Sequence, residues 1–189
     1  KIIEISNKEL QQITQTKNPQ GVCAQIKIEY NDFKKIKNNI NGNVIILDEI
    51  KDPGNLGTLL RTIAWFGINN VFLSNKSVDI FNDKVLRSGM GGHFKIKNLV
   101  YDELEIIIAH IKNLNYKIYS ADLDGKDIFT INKPPNNWAL ILGSESFGMN
   151  KRLDNLIDSK ISITGTNNID SLNVAVAGSI SIFHLINHK

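Results

Sequence analysis

Val44-Ile45-Ile46-Leu47, followed by Asp52-Pro53-Gly54-Asn55-Leu56-Gly57-Thr58-Leu59-Leu60-Arg61-Thr62, carries the clearest structural pattern in the chain. Four consecutive apolar residues, two of them isoleucine, read as a short strand buried on both faces. The Pro and two Gly then mark a turn. Beyond it Leu56, Leu59, Leu60, Ile63, Ala64 and Phe66 recur with the period of a helix, which stops at Gly67. Strand, glycine turn and helix in that order form the repeating unit of α/β proteins.

The same alternation extends outward on both sides. Residues 70–73, 116–120, 138–142 and 160–163 are strand-like. Helical patterns are predicted over 80–86 and 150–156, through Leu104, Ile107, Ile108, Ile111 and Leu114, and over 172–186. Residues 22–30 alternate as a strand would, and Pro134-Pro135 marks a loop. The expected fold is α/β, a mostly parallel sheet flanked by helices. Lys17-Asn18-Pro19-Gln20-Gly21 is a breaker cluster at a domain edge. We read residues 1–28 as a linker or the end of an N-terminal region and 29–189 as the main domain. Because the chain starts at Lys1, it is expected to begin inside a longer protein.

At 189 residues the chain has the length of one domain, with 42% hydrophobic and 22% charged residues. Its single cysteine, Cys23, excludes an internal disulfide and a cysteine zinc site. The four histidines are scattered, so no metal is expected. The longest apolar runs, at 44–47, 106–109 and 139–142, fall far short of the roughly 20 residues that span a membrane. With no secretory leader pattern, a reducing cytoplasmic setting is expected. A net charge of +3 permits an RNA partner without demanding one. Ile, Asn and Lys number 30, 24 and 19, as AT-rich codons would produce. Against that drift only three arginines remain, Arg61, Arg87 and Arg152, which marks them as places where a planar guanidinium fork is needed.

Glycines cluster at Gly54/Gly57, at Gly89/Gly91/Gly92 and at Gly143/Gly148, the first and third directly after predicted strands. Ligands of open parallel sheets bind there. Taken singly, each cluster is an ordinary tight turn. The dinucleotide pattern GxGxxG is absent from the first cluster and the P-loop pattern GxxxxGK[ST] from the chain. Glu145 stands inside the third cluster, as a solvated loop carboxylate or one that orients a substrate or amide. The last helix opens with Ser171, a candidate N-cap, and continues through Asn173 into the small residues Ala175, Ala177, Gly178 and Ser179.

Three segments in this order, Asn55-Leu56-Gly57-Thr58-Leu59-Leu60-Arg61-Thr62, Leu142-Gly143-Ser144-Glu145-Ser146-Phe147-Gly148 and Ser171-Leu172-Asn173-Val174-Ala175-Val176-Ala177, resemble the signature motifs of the SpoU/TrmH-type RNA ribose 2′-O-methyltransferases of the SPOUT superfamily. The resemblance covers about residues 44–187. The 18–22 stretch is similar to the family's join with a substrate-recognition domain. The resemblance implies a C-terminal deep trefoil knot, S-adenosylmethionine bound in the knot loops at Gly143, Ile163 and Leu172, and a homodimer. It implies catalytic or architectural roles for Asn55, Arg61, Glu145, Ser171 and Asn173. The sequence departs from the family at Ser144, at Ser146 and at Thr164, where a proline is usual.

Methyl transfer to a ribose hydroxyl needs an in-line approach of oxygen to the sulfonium methyl and a path for the hydroxyl proton. Arg61 is a poor proton acceptor and a good bidentate clamp, so phosphate binding is the preferred role over that of base. Lys84, Arg87 and His93, around a glycine-rich turn, form a candidate RNA-facing patch. Phe94 is placed to stack a base, whereas Trp65 and Phe66 fall in the helical stripe and read as core. Ribosomal RNA is the first expected substrate and transfer RNA the second. The competing readings are a catalytically silent RNA-binding paralogue and a doubly wound nucleotide-binding enzyme; the missing glycine fingerprints argue against the latter.

Overall fold

All four side chains of β1 (Val44–Leu47) are buried, and they divide by alternation between two cores. A parallel strand covered on both faces by helices requires such an apolar run. The computed structural model describes residues 2–14, 18–28, 30–131, 134–145, 148–166 and 169–187, in two compact units, 1–30 and 31–189.

The first unit holds α1 (Asn7–Thr14). Ser6 and Glu9 close a reciprocal capping box: the Ser6 N–H donates to Glu9 Oε2 at 2.8 Å and the Glu9 N–H to Ser6 Oγ at 3.3 Å. Residues 22–28 form no strand, contrary to the alternation there. Alternation prepares a strand, but a hydrogen-bonded neighbour makes one, and no ladder reaches these residues.

The second unit is built on six parallel strands: β1, β2 (Asn70–Leu73), β3 (Asn98–Tyr101), β4 (Lys117–Asp127), β5 (Trp138–Leu142) and β6 (Ser159–Ser162), in the spatial order β3-β2-β1-β5-β4-β6. Ile45 and Leu47 face α3 (Pro53–Trp65) and α6 (Val174–Asn187) through Leu56, Leu59, Leu60, Ile63, Ile182 and Leu185. Val44 and Ile46 face α2 (Phe33–Ile36) and α5 (Leu104–Asn113) through Phe33, Leu104, Ile107, Ile108 and Ile111. Strand order reverses direction between β1 and β5, so the loops after Leu47 and Leu142 diverge from one crevice at the strands' carboxyl ends.

Four elements of this unit depart from the sequence expectation, the first being the helix expected over 150–156, which is a 3₁₀ helix at Lys151–Leu156, capped by the Asn150 side chain. The short, polar-flanked β3 gave no periodicity. The helix expected over 80–86 is α4 (Asp83–Gly89), because the Asn82 side chain accepts from Lys84 N and caps it. β4 runs well past Ser120, pairing Lys126 with Ile161 beyond an irregularity; a Cβ at Gly125 would overlap the Ile161 backbone. Among the described residues no helix is long and apolar enough to cross a membrane. No group of three His, Cys, Asp or Glu is placed to hold a metal ion among them.

Candidate active site

The three motifs meet at the amino ends of α3 and α6. Asp52 caps α3, accepting from Asn55 N at 2.8 Å, which sets Asn55 in the first turn. Asn173 caps α6: its Oδ1 accepts from Ala175 N at 2.9 Å and Val176 N at 3.3 Å. The cap is therefore Asn173 rather than Ser171. The spare Nδ2 of Asn173 donates to Asn55 Oδ1 at 3.0 Å and to Glu145 Oε1 at 3.1 Å. Asn55 Nδ2 donates to the same carboxylate oxygen. Two amides and one carboxylate thus form a closed triangle, with Glu145 at two helix N-termini, where negative charge is favoured.

Glu145 is delivered by a narrow hairpin. Ser144 and Gly148 exchange both backbone hydrogen bonds, each 2.9 Å. A Cβ at Gly143 would overlap the backbone of Gly148 and Met149, and Gly148 has φ +66°. Both glycines are thus demanded by the backbone path. Ser144 Oγ donates to the Gly148 carbonyl at 3.3 Å, and Ser146 lies outside the described residues. At the other departure, Thr164 Oγ1 donates to the Asp127 carboxylate. A hydrogen bond holds this loop where a proline ring would have fixed φ.

A cavity of about 520 Å³ opens beside the triangle, at the ends of β4, β5 and β6. Gly143, Ile163 and Leu172 all line it, as do Glu145 and Ser171. Leu142, Ile161 and Val174 supply apolar wall, and Asp122, Asp124, Lys151, Asp154 and Lys160 a charged rim. Sequence reasoning missed residues 121–124; their signal, a strand continuing through a polar stretch, is weak. Lys160 bridges Asp122 at 2.9 Å and Asp154 at 3.2 Å. Burial pushes the Asp122 carboxyl up, but the Lys160 ammonium and nearby backbone N–H groups outweigh it and hold the group below its ordinary value. Hydrogen bonds to Asp122 and Asp154 raise the Lys160 ammonium in turn.

Arg61 lies elsewhere. It is exposed on α3 and lines a second, shallower groove of about 590 Å³ with Trp65, Phe66, Ile180 and Phe183. Trp65 is 84% exposed rather than core. The helical stripe placed Trp65 in the core, but the side chain falls beside the α3–α6 contact, where Thr62 and Ser179 hydroxyls meet at 3.0 Å. Lys84 and Arg87 are exposed, pairing with Asp52 at 3.5 Å and Asp83 at 3.9 Å. His93 is buried, 4% exposed between Phe81 and Phe94, and burial pushes its imidazole down, so it does not belong to a surface patch. Arg152 serves structure, pairing with Glu105 at 2.9 Å.

Residues 42–183 match the family model of the SpoU rRNA methylases, and residues 1–31 the model for RNA 2′-O ribose methyltransferase substrate binding. An uncharacterized tRNA/rRNA methyltransferase of Borreliella burgdorferi is 34% identical over 98% of this chain and 86% of its own length. The 23S rRNA (guanosine(2553)-2′-O)-methyltransferase RlmP of Bacillus subtilis is 31% identical, over 92% of this chain and 67% of its own. The AdoMet-bound rRNA methyltransferase of Sinorhizobium meliloti superposes with a TM-score of 0.88 at 28% identity, covering 97% of this chain and 70% of that one. With three-quarters of its length inside that family model and its parallel sheet superposing on a solved methyltransferase, the chain belongs to the SpoU rRNA methylase family.

Proposed function

We propose that this protein transfers the methyl group of S-adenosylmethionine to a ribose 2′-hydroxyl of structured RNA in the cytoplasm, ribosomal RNA before transfer RNA. The observation that carries the reading is Glu145, which lines the 520 Å³ cavity while receiving the amides of Asn55 and Asn173. The cavity fits the cofactor: its volume falls within the ~300–1,000 Å³ of small-molecule sites. Its walls are apolar and its rim is charged. Gly143, Ile163 and Leu172 would hold the cofactor, which when bound supplies an electrophilic methyl group.

The chain's own residues do the rest. The triangle fixes the hairpin at the cavity and presents Ser171 on its wall. Arg61, whose guanidinium has no ion-pair partner among the described residues, clamps an RNA phosphate and stabilises the developing alkoxide. Residues 1–28 form the end of a substrate-recognition region, and 29–189 the catalytic domain.

Arg61 lines the α3–α6 groove rather than the cavity, and Trp65 and Phe183, 84% and 58% exposed, lie beside it. That separation favours a homodimer, with a second copy covering the groove. The placement of β6 beyond β4, followed by α6 packing back beneath β5, favours a deep trefoil knot at the carboxyl end.

Calorimetric titration with S-adenosylmethionine tests the reading. One site per chain is expected; the absence of binding would leave the RNA-binding paralogue instead.

A further inference from the structure

Asp48 directly follows β1 and is 1% exposed. Its backbone N–H donates to the Leu142 carbonyl at 2.8 Å, on the residue before Gly143. Its Oδ2 accepts from Asn150 N at 2.9 Å, on the residue after Met149. One residue at the carboxyl end of β1 therefore grips both legs of the hairpin that carries Glu145. The second grip continues outward. Asn150 Oδ1 accepts from Arg152 N at 3.2 Å and caps the turn Lys151–Leu156, which supplies Lys151 and Asp154 to the cavity rim.

The arrangement is costly. The other oxygen, Oδ1, is buried without a hydrogen-bond partner among the described residues. A half-satisfied carboxyl in such a place disfavours the folded state. Burial raises the Asp48 carboxyl above its ordinary value, against the opposing Asn150 N–H. A strand end needs no such group, and an aliphatic residue would fill the volume at lower cost. Against burial the Asn150 N–H acts first, with the Arg152 charge and the Ser74 hydroxyl beside it, and of these only the Asn150 N–H ties Asp48 to the far leg of the hairpin.

We infer that Asp48 is a positioning residue for the cofactor cavity, holding the two legs joined by the Ser144–Gly148 bridge from both sides so that Glu145 meets Asn55 and Asn173. It touches neither cofactor nor RNA; it acts through the hairpin and the Asn150 turn. The inference rests on the reading of the cavity as an S-adenosylmethionine site.

The test compares Asp48→Leu, which removes the acceptor, with Asp48→Asn, which keeps one. Two readouts are taken on each: amide hydrogen exchange at Asn150, and the KM for S-adenosylmethionine set against the KM for RNA. Asp48→Leu is expected to expose the Asn150 amide and raise the cofactor KM about tenfold, the loss expected of one buried hydrogen bond. The RNA KM stays within about twofold, and Asp48→Asn rescues both readouts. If Asp48→Leu does not fold, Asn150→Pro and Asn150→Ala replace it. Asn150 has φ −63°, which proline accepts, so only the proline variant lacks the donor. A cofactor KM equal in these two variants, or unchanged exchange and KM in Asp48→Leu, overturns the inference. Failure of the wild-type protein to bind S-adenosylmethionine overturns the functional reading alone; Asn150 exchange then still decides whether Asp48 holds the hairpin.

Discussion

The side-chain amide of Asn173 donates to Asn55 Oδ1 at 3.0 Å, joining residues 118 positions apart at the mouths of two helices. The same side chain caps α6, so one residue carries a stability role and a site role. Asn173→Ala removes both and is expected to cost about 1 kcal/mol of folding stability, the worth of an N-cap. Asn173→Asp keeps the cap acceptor but sets a second carboxylate against Glu145. Its denaturation midpoint should stay near wild type while methyl transfer falls steeply. Urea melts and turnover on both variants separate the two roles, and parallel losses in Asn173→Asp would refute the separation.

Gly143→Ala is expected to lose about 1–3 kcal/mol, because the added Cβ meets the fixed backbone of Gly148 and Met149. Cofactor binding should fail with it. Gly165→Ala, where nothing lies within 4 Å of the new Cβ, is the matched control and should be near neutral. Urea denaturation and calorimetry on the pair provide the check.

Thr164→Val removes the hydroxyl that, ahead of the Phe129 N–H, holds the Asp127 carboxyl below its ordinary value. A depressed carboxyl stabilises the fold above the unfolded value of about 3.9 and loses that contribution as pH falls through the folded value. In the variant the Asp127 carboxyl should rise toward the ordinary value, so this contribution shrinks at neutral pH and the window of pH over which it is lost narrows from its acid side. A carbon-13 titration of the Asp127 carboxyl reads the shift; an unmoved resonance would show that Thr164 does not anchor the loop.

Phe183→Glu places a charge in the apolar α3–α6 groove. If a second copy covers that groove, sedimentation should show dimers for the wild-type protein and monomers for the variant, with cofactor affinity retained. A wild-type monomer would place Arg61 outside any shared site.

The sequence reveals this fold best where burial is two-sided. Val44–Leu47 and Trp138–Leu142 declare themselves because every side chain must be apolar. It reveals least where a strand outlives its apolar run: β4 continues through Asp122-Leu123-Asp124-Gly125, whose polarity reads as loop and whose pairing comes from Ile161, far along the chain. The cavity-lining residues 121–124 were lost for that reason. Asn55, Glu145 and Asn173 are unremarkable singly, and only their ordered motifs mark them. Which of Ser171 and Asn173 caps α6 is a matter of one side chain's reach. His93 and Trp65 exchanged their expected places, because periodicity gives a helix's stripe but not the neighbour that covers a side chain.

Transfer of labelled methyl from S-adenosylmethionine to ribosomal and transfer RNA, followed by mapping of the modified nucleotide, decides whether this protein is a ribose methyltransferase. A single alkali-resistant 2′-O-methylated ribose is expected, in ribosomal before transfer RNA. Transfer should fall at least about tenfold in Arg61→Lys, which keeps the charge but loses the fork. Label on a base, or no label in either RNA from a protein that binds the cofactor, would contradict that assignment.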